Sequence, residues 1–174
     1  DYIERNGSSS QYIPLTIGWA RDDRDNLLAP SKGTLKRINT EIAAFGSTRF
    51  SRTNLQYQHF IPITSKVAFG LNADFGLGAS VGGKDYPVFK NYYGGGLGSV
   101  RVFQQGSLGP KDLSGTILGG TKRLTLNNEL YLPVPGAGND KSLRIFAFID
   151  AGNVWGPDEN INWKSMRVST GLGL

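Results

Sequence analysis

The segment SKVAFGLNADFGLG, Ser65 to Gly78, carries the periodicity that decides the fold. Val67, Phe69, Leu71, Ala73, Phe75 and Leu77 share one face of an extended chain, and Ala68, Gly70, Asn72, Asp74 and Gly76 share the other. A strict period of two sorts the residues this way; a helical period would mix the two sets. The same alternation recurs on both sides. YIPLTIGWA sets Ile13, Leu15, Ile17 and Trp19 on one face. KRLTLNNELYLP opposes Leu124, Leu126, Leu130 and Leu132 to Thr125, Asn127, Glu129 and Tyr131. SLRIFAFIDAG opposes Leu143, Ile145, Ala147 and Ile149 to Arg144, Phe146, Phe148 and Asp150. KSMRVSTGLGL opposes Met166, Val168, Leu172 and Leu174 to Ser165, Arg167, Ser169 and Gly171. Thr34–Gly46 and Phe50–Ile63 alternate less cleanly, which brings the candidate strands to seven.

Turn chemistry separates these segments: Ala-Pro-Ser-Lys-Gly at 29–33, Gly-Ser-Thr at 46–48, Pro-Ile-Thr-Ser-Lys at 62–66 and Pro-Gly-Ala-Gly-Asn-Asp at 135–140. Strands joined by short turns are expected to pair as antiparallel hairpins. One connection is long, from about Ser80 to Gly120. A loop of that length in a sheet protein is usually functional or disordered. Inside it lies SVRVFQQGSLGP, Ser99 to Pro110, where a single arginine is flanked by apolar side chains and glycines.

Composition narrows the classes. With 174 residues the chain is one domain or a piece of a larger protein. It has no cysteine, which excludes disulfides, thiolate metal sites and cysteine nucleophiles. The net charge of +5 is spread along the chain without a Lys/Arg block, so no nucleic-acid partner is expected. No apolar run reaches the roughly 18 residues of a membrane-spanning helix. The opening DYIERNGSSSQYIPL lacks the basic and apolar regions of a signal peptide. His59 is the sole histidine and is read as a strand residue, since alone it builds no histidine metal cluster. Gly94–Gly96 is followed by no Gly-Lys-Ser/Thr, and GGTKR at 119–123 reverses that order, so no phosphate loop is expected. Asn6-Gly7-Ser8 is a formal glycosylation sequon, irrelevant if the protein is bacterial. Glu129 and Asp150 would suit a glycosidase pair only beside a sugar cleft, of which the sequence gives no sign. No catalytic residue, cofactor or metal is expected.

Alternation fits a soluble β-sandwich as well as a membrane barrel, so the polar faces decide. A sandwich turns Lys, Glu and Thr to bulk water. Here the polar faces carry Asn72, Asp74, Asn127, Glu129, Asp150, glycines and some aromatics, which suits a wet, crowded barrel interior. The opposite faces suit lipid, and the segments are about as long as a tilted membrane strand must be. Trp19, Phe45, Phe60, Trp155 and Trp163 lie near strand ends, where an interfacial belt is expected.

These residues resemble a known family. YYGGGLGSVRVFQQGSLGP is similar to the long extracellular loop of BamA-type outer-membrane assembly proteins, marked by a Val-Arg-Gly-Phe tetrapeptide. GGKDYPVFKNYYGGG precedes it, and NNELYLPVPG, RIFAFIDAGNVWG and MRVSTGLGL follow, in the family's order. YIPLTIGWARDDRDN with APSKG, then NLQYQHFIPI, fit upstream, so the resemblance covers essentially the whole chain. It implies an all-β, antiparallel, up-and-down transmembrane barrel, here partial: about seven strands of sixteen, with a long loop at about 80–120 inserted into the lumen. Residues 1–174 show no POTRA-like αβ pattern and stop before the family's last strands, so the resemblance implies a fragment with unpaired edges.

By the same resemblance, the loop motif is Val100, Arg101, Val102 and Phe103. Arg101 is expected to meet Glu129 and Asp150 on the inner wall, with Phe103 packed beside it. A guanidinium in a narrow lumen needs carboxylates to offset its lost hydration, and its planar fork bridges two acceptors. Val102 stands where the family has glycine; if φ is positive there, a β-branched residue is strained. The implied function is folding and inserting β-barrel proteins into the bacterial outer membrane, without nucleotide. The implied partners are outer-membrane lipids, unfolded outer-membrane protein clients and, through regions outside this chain, assembly-machinery lipoproteins. A two-partner secretion barrel, which shares the arginine loop, and a soluble β-sandwich binding module are the alternatives.

Overall fold

A computed structural model describes residues 2–136 and 143–174. After a five-residue helix α1 (Tyr2–Asn6) come seven strands: β1 (Tyr12–Asp22), β2 (Gly33–Gly46), β3 (Phe50–Pro62), β4 (Ala68–Ser80), β5 (Lys122–Pro133), β6 (Arg144–Trp155) and β7 (Arg167–Gly173). They form one sheet in sequence order, every neighbour antiparallel. Among the described residues the sheet is open: β1 pairs only with β2, and β7 only with β6. The single break in register falls between Ile13 and Pro14, on an edge strand. Proline lacks the N–H a ladder needs, so a bulge at an edge is where a strand tolerates it. The turn PGAGND at 135–140 lies partly outside the described residues.

The register fixes two faces. One is bare: Ile13, Leu15, Ile17 and Trp19 of β1, Leu55 and Ile61 of β3, Leu77 of β4, Ile149 of β6 and Val168 and Leu172 of β7 are all exposed. The other carries residues 81–121, the β4–β5 connection. The buried apolar side chains gather there, between loop and sheet: Tyr86, Tyr92, Val100 and Leu108 from the loop, with Ala43, Phe50 and Val154 beneath. The sheet is thus apolar on the uncovered side and amide-rich on the covered side, the reverse of a soluble sandwich. Strands of 11 to 14 residues from β1 to β6 are long enough to cross a bilayer at a tilt.

The aromatic belt expected from the sequence is corrected at two positions. Trp19, Phe45 and Trp163 are exposed, but Phe60 and Trp155 are buried. Phe60 lies on the loop face, opposite Gly70, with its ring 6.4 Å from that of Tyr131. Trp155 is covered by the β6–β7 connection, and its Nε1 donates to Ser165 Oγ at 3.0 Å. Strand-end aromatics serve as belts only when their parity and their neighbouring loops leave them open.

Candidate functional site

Residues 94–109 cross above β5 and β6. Gly94 and Leu108 pair as an isolated bridge, closing the segment into a narrow loop. Within it Ser99 N donates to Gly96 O at 3.0 Å and Gly96 N to Val100 O at 3.1 Å, a turn that aims the next residue at the sheet. Val100 is fully buried, packed over Gly152 of β6. Ser99 is held from both sides: its carbonyl accepts from Asn127 Nδ2 at 2.7 Å, and its hydroxyl lies 3.3 Å from that of Thr125.

Arg101 is enclosed on three sides. Asp150, 0% exposed, accepts at Oδ2 from the Arg101 backbone N at 3.0 Å and from Nε at 2.7 Å, and at Oδ1 from Nη2 at 2.6 Å. Glu129 Oε1 accepts from Nη1, and Glu129 Oε2 from the Tyr131 hydroxyl. The Phe148 ring lies 3.8 Å from the guanidinium carbon and that of Phe146 5.6 Å from it. The strand register produces this. Glu129 stands opposite Phe148 across β5–β6, so a carboxylate and a ring project side by side, and Asp150 follows two residues along β6 on the same face. Phe148 in turn lies over Gly171 of β7, where a Cβ would come within 2.7 Å of the ring. The glycine on the next strand keeps the ring flat against the sheet and leaves its upper face to the cation.

The geometry of the site is that of a charge clamp. All three guanidinium nitrogens are directed at carboxylates, the planar-fork geometry that gives charge-assisted hydrogen bonds their strength and direction. The sequence motif is thus spread over several environments. Val100 and Arg101 are seated. Val102 is 81% exposed and has a φ of 75°, the sole positive φ outside glycine among the described residues. The chain reverses there after delivering Arg101, and the valine side chain is turned away from the sheet. Phe103 lines a cleft with Leu108, Val154, Lys164 and Met166. The rings against the cation are Phe148 and Phe146, whose alternation with Asp150 was visible in the sequence. The loop has no such periodicity, and nothing in it located Phe103.

A single sheet of long strands, bare on its apolar side and lined within by a charge-clamped loop, is the wall of an outer-membrane-type β-barrel. Residues 2–174 match the Omp85 superfamily domain, and the chain belongs to that superfamily. It is 40% identical over 147 residues to the outer membrane protein assembly factor BamA of Neisseria meningitidis serogroup B, covering 80% of this chain and 18% of the relative. It is 31% identical over 185 residues to a SAM50-like protein of Schizosaccharomyces pombe, covering 99% of this chain and 38% of that one. The crystal structure of Haemophilus ducreyi BamA lacking POTRA domains 1–3 superposes with a TM-score of 0.80 at 24% identity, over 91% of this chain and 35% of that one. The chain therefore spans well under half the length of each of these proteins.

Proposed function

We propose that the protein containing this chain folds and inserts β-barrel proteins into the bacterial outer membrane. Residues 1–174 would form about seven strands of its sixteen-strand barrel, and POTRA modules and closing strands would lie elsewhere in that protein. The bare face would meet outer-membrane lipid; unfolded barrel proteins would be the clients; lipoproteins of the assembly machinery would bind through other regions. No enzymatic step is assigned. The seated loop stiffens the wall while the client adds strands elsewhere on the barrel, by the backbone pairing that extends any sheet edge.

The observation that carries this reading is the capture of Arg101 by Asp150 and Glu129, in a chain whose relatives bear the name of assembly factors. Eukaryotic SAM50-like relatives match as well, at 31% identity, and the bacterial assignment rests on the higher identity, 40%, to the Neisseria relative. The secretion-barrel and sandwich alternatives are not favoured: relatives are named as an assembly factor and as sorting and assembly machinery components, and among the described residues no second layer covers the apolar face.

The test is a charge swap in the full-length protein. Arg101→Glu and Asp150→Arg are each expected to reduce, without abolishing, the heat-modifiable fraction of the protein and to lower outer-membrane protein levels, and the double variant is expected to recover both in part. Single variants that behave as wild type would overturn the role of this pair.

A further inference from the structure

The loop is held at a second place that the motif does not announce. Its ascending limb, residues 86–92, lies over β2, β3 and β4, whereas Arg101 lies over β5 and β6. Lys90 Nζ donates to Glu41 Oε1 at 2.7 Å and Oε2 at 3.0 Å, and both side chains are largely shielded. The Lys90 carbonyl accepts from Arg52 Nε at 3.2 Å and from the Tyr86 hydroxyl at 3.1 Å. Tyr92, 1% exposed, is the largest fully buried side chain among the described residues. Its ring faces two cations, with Arg52 Cζ at 4.2 Å and Arg123 Cζ at 5.4 Å from the centroid, and Arg123 Nε is buried without a hydrogen-bond partner. The ring reaches that depth because β4 has Gly76 beneath it: a Cβ there would lie 2.6 Å from the ring. The Tyr92 hydroxyl donates to the Thr53 carbonyl at 2.9 Å, so the tyrosine spans from loop backbone to sheet backbone.

We infer that this cluster is an independent anchor of the loop root, and that Lys90 and Tyr92 position the tip so that Arg101 meets its acids. Three features separate it from ordinary packing. It uses an ion pair and a cation-flanked ring, both specific in direction. It engages three strands the Arg101 site does not touch. It also sets the start of the narrow loop, since Tyr92 and Gly120 exchange both backbone hydrogen bonds, at 2.7 and 2.9 Å, two residues before Gly94. A loop pinned only at Arg101 would have to order the whole connection to bring one side chain to Asp150; pinning the root shortens the free segment and lowers that entropy cost. The inference rests on the seated loop proposed above and extends it.

The experiment reads tip seating directly. The sequence has no cysteine, and the Ser99 and Thr125 hydroxyls lie 3.3 Å apart, so Ser99→Cys with Thr125→Cys reports the seated tip by disulfide formation. It is run in the full-length protein free of other cysteines, scoring only the heat-modifiable, folded band. Lys90→Glu and Tyr92→Ala are expected to slow oxidation by roughly tenfold, about the effect of losing one buried charged contact. Tyr92→Phe, which keeps the ring between the guanidiniums, is expected to oxidise near the wild-type rate. Adding Glu41→Lys to Lys90→Glu is expected to restore it. Folded Lys90→Glu and Tyr92→Ala variants that oxidise at the wild-type rate overturn the anchor. If Lys90→Glu alone yields no folded band, the swapped pair decides: recovery of a folded, fast-oxidising band supports the anchor, and no recovery overturns it. Arg101→Glu in the same reporter separates the two readings. If it slows oxidation and the root variants do not, the tip contact stands and the anchor falls; if the root variants slow it and Arg101→Glu does not, the anchor stands and the tip contact falls.

Discussion

On the bare face of β3, Leu55 stands opposite Phe75, with no second layer above it among the described residues. Its chain neighbour Gln56 stands opposite Asp74 and Arg37 on the loop face, in a row with Gln58, Asn54 and Asn72. One residue of translation separates two solvents. The bare side is held by what surrounds the sheet, the loop side by contacts the chain makes with itself. Loss of a loop-side contact should therefore depend on which partner is stranded, and damage on the bare side on how deep in the membrane it falls.

The sharpest break is on the loop side. Asp150→Ala leaves Arg101 beside Glu129 alone and strands the backbone N–H of Arg101, with a loss of about 3–5 kcal/mol if the site stays dry. It is measured as the shift in the urea midpoint for loss of heat-modifiable mobility. Glu129→Ala should cost less, because Asp150 receives three of the four donations from Arg101. Equal losses in the two variants would show the acids to be interchangeable and the site wetter than its burial implies.

The bare side gives the next largest effect. Leu55→Arg near mid-strand should cost about 2–4 kcal/mol in a bilayer, the price of a cation at the membrane midplane. Gln56→Arg, one position on, should cost far less because it falls on the polar loop face, where Asp74 across one ladder offsets Arg37 across the other. Folding yield into lipid vesicles of both variants measures the contrast. If Gln56→Arg proves the more damaging, the assignment of the two faces is inverted.

The periodicity that makes this contrast testable is also what made the sheet legible. All seven strands could be read from alternation, since side-chain parity survives without knowledge of the partners. Glu129 and Asp150 could be placed on one wall because each sits at a fixed parity of its strand. The loop has no such ruler. Lys90 and Tyr92 depend on Glu41, Arg52, Gly76 and Arg123, residues from four strands whose proximity only the register establishes. Phe60 and Trp155 were misread as belt residues for a related reason: an aromatic at a strand end looks the same whether it plugs a glycine opposite, sits under a loop or faces lipid.

Val102 offers a gain in place of a loss. A β-branched residue at a φ of 75° is strained by about 1–2 kcal/mol. Its side chain is turned outward and gives little packing in return. Val102→Gly should relieve the strain but widen the unfolded ensemble, leaving a net stabilisation of about 1 kcal/mol or less. The same urea midpoint reads it. A lowered midpoint would mean that Val102 makes contacts in the intact barrel that offset its backbone.

The smallest effect lies outside both faces, in the β1–β2 turn. Desolvation pushes the Asp25 carboxyl up, but donation from Ser31 Oγ at 2.6 Å and from the Ser31 and Lys32 amides at 2.9 and 3.1 Å outweighs it and holds the group at about 2. An unfolded aspartate titrates near 3.9. A lowered folded value means the contribution is present in full above about pH 4 and is lost as pH falls toward 2. The Ser31 and Lys32 amide shifts in detergent should therefore titrate with a midpoint near 2, and Asp25→Asn should abolish the transition. A midpoint near 4 would mean the carboxylate is solvated and the turn is ordered by its other contacts, among them the donations of Arg144 to the Pro30 and Ala29 carbonyls at 2.8 and 2.6 Å. In that case the turn would be tied to β6 across the loop face and would share the fate of that face, so Asp150→Ala should loosen it while Leu55→Arg leaves its amide shifts unchanged in the folded fraction.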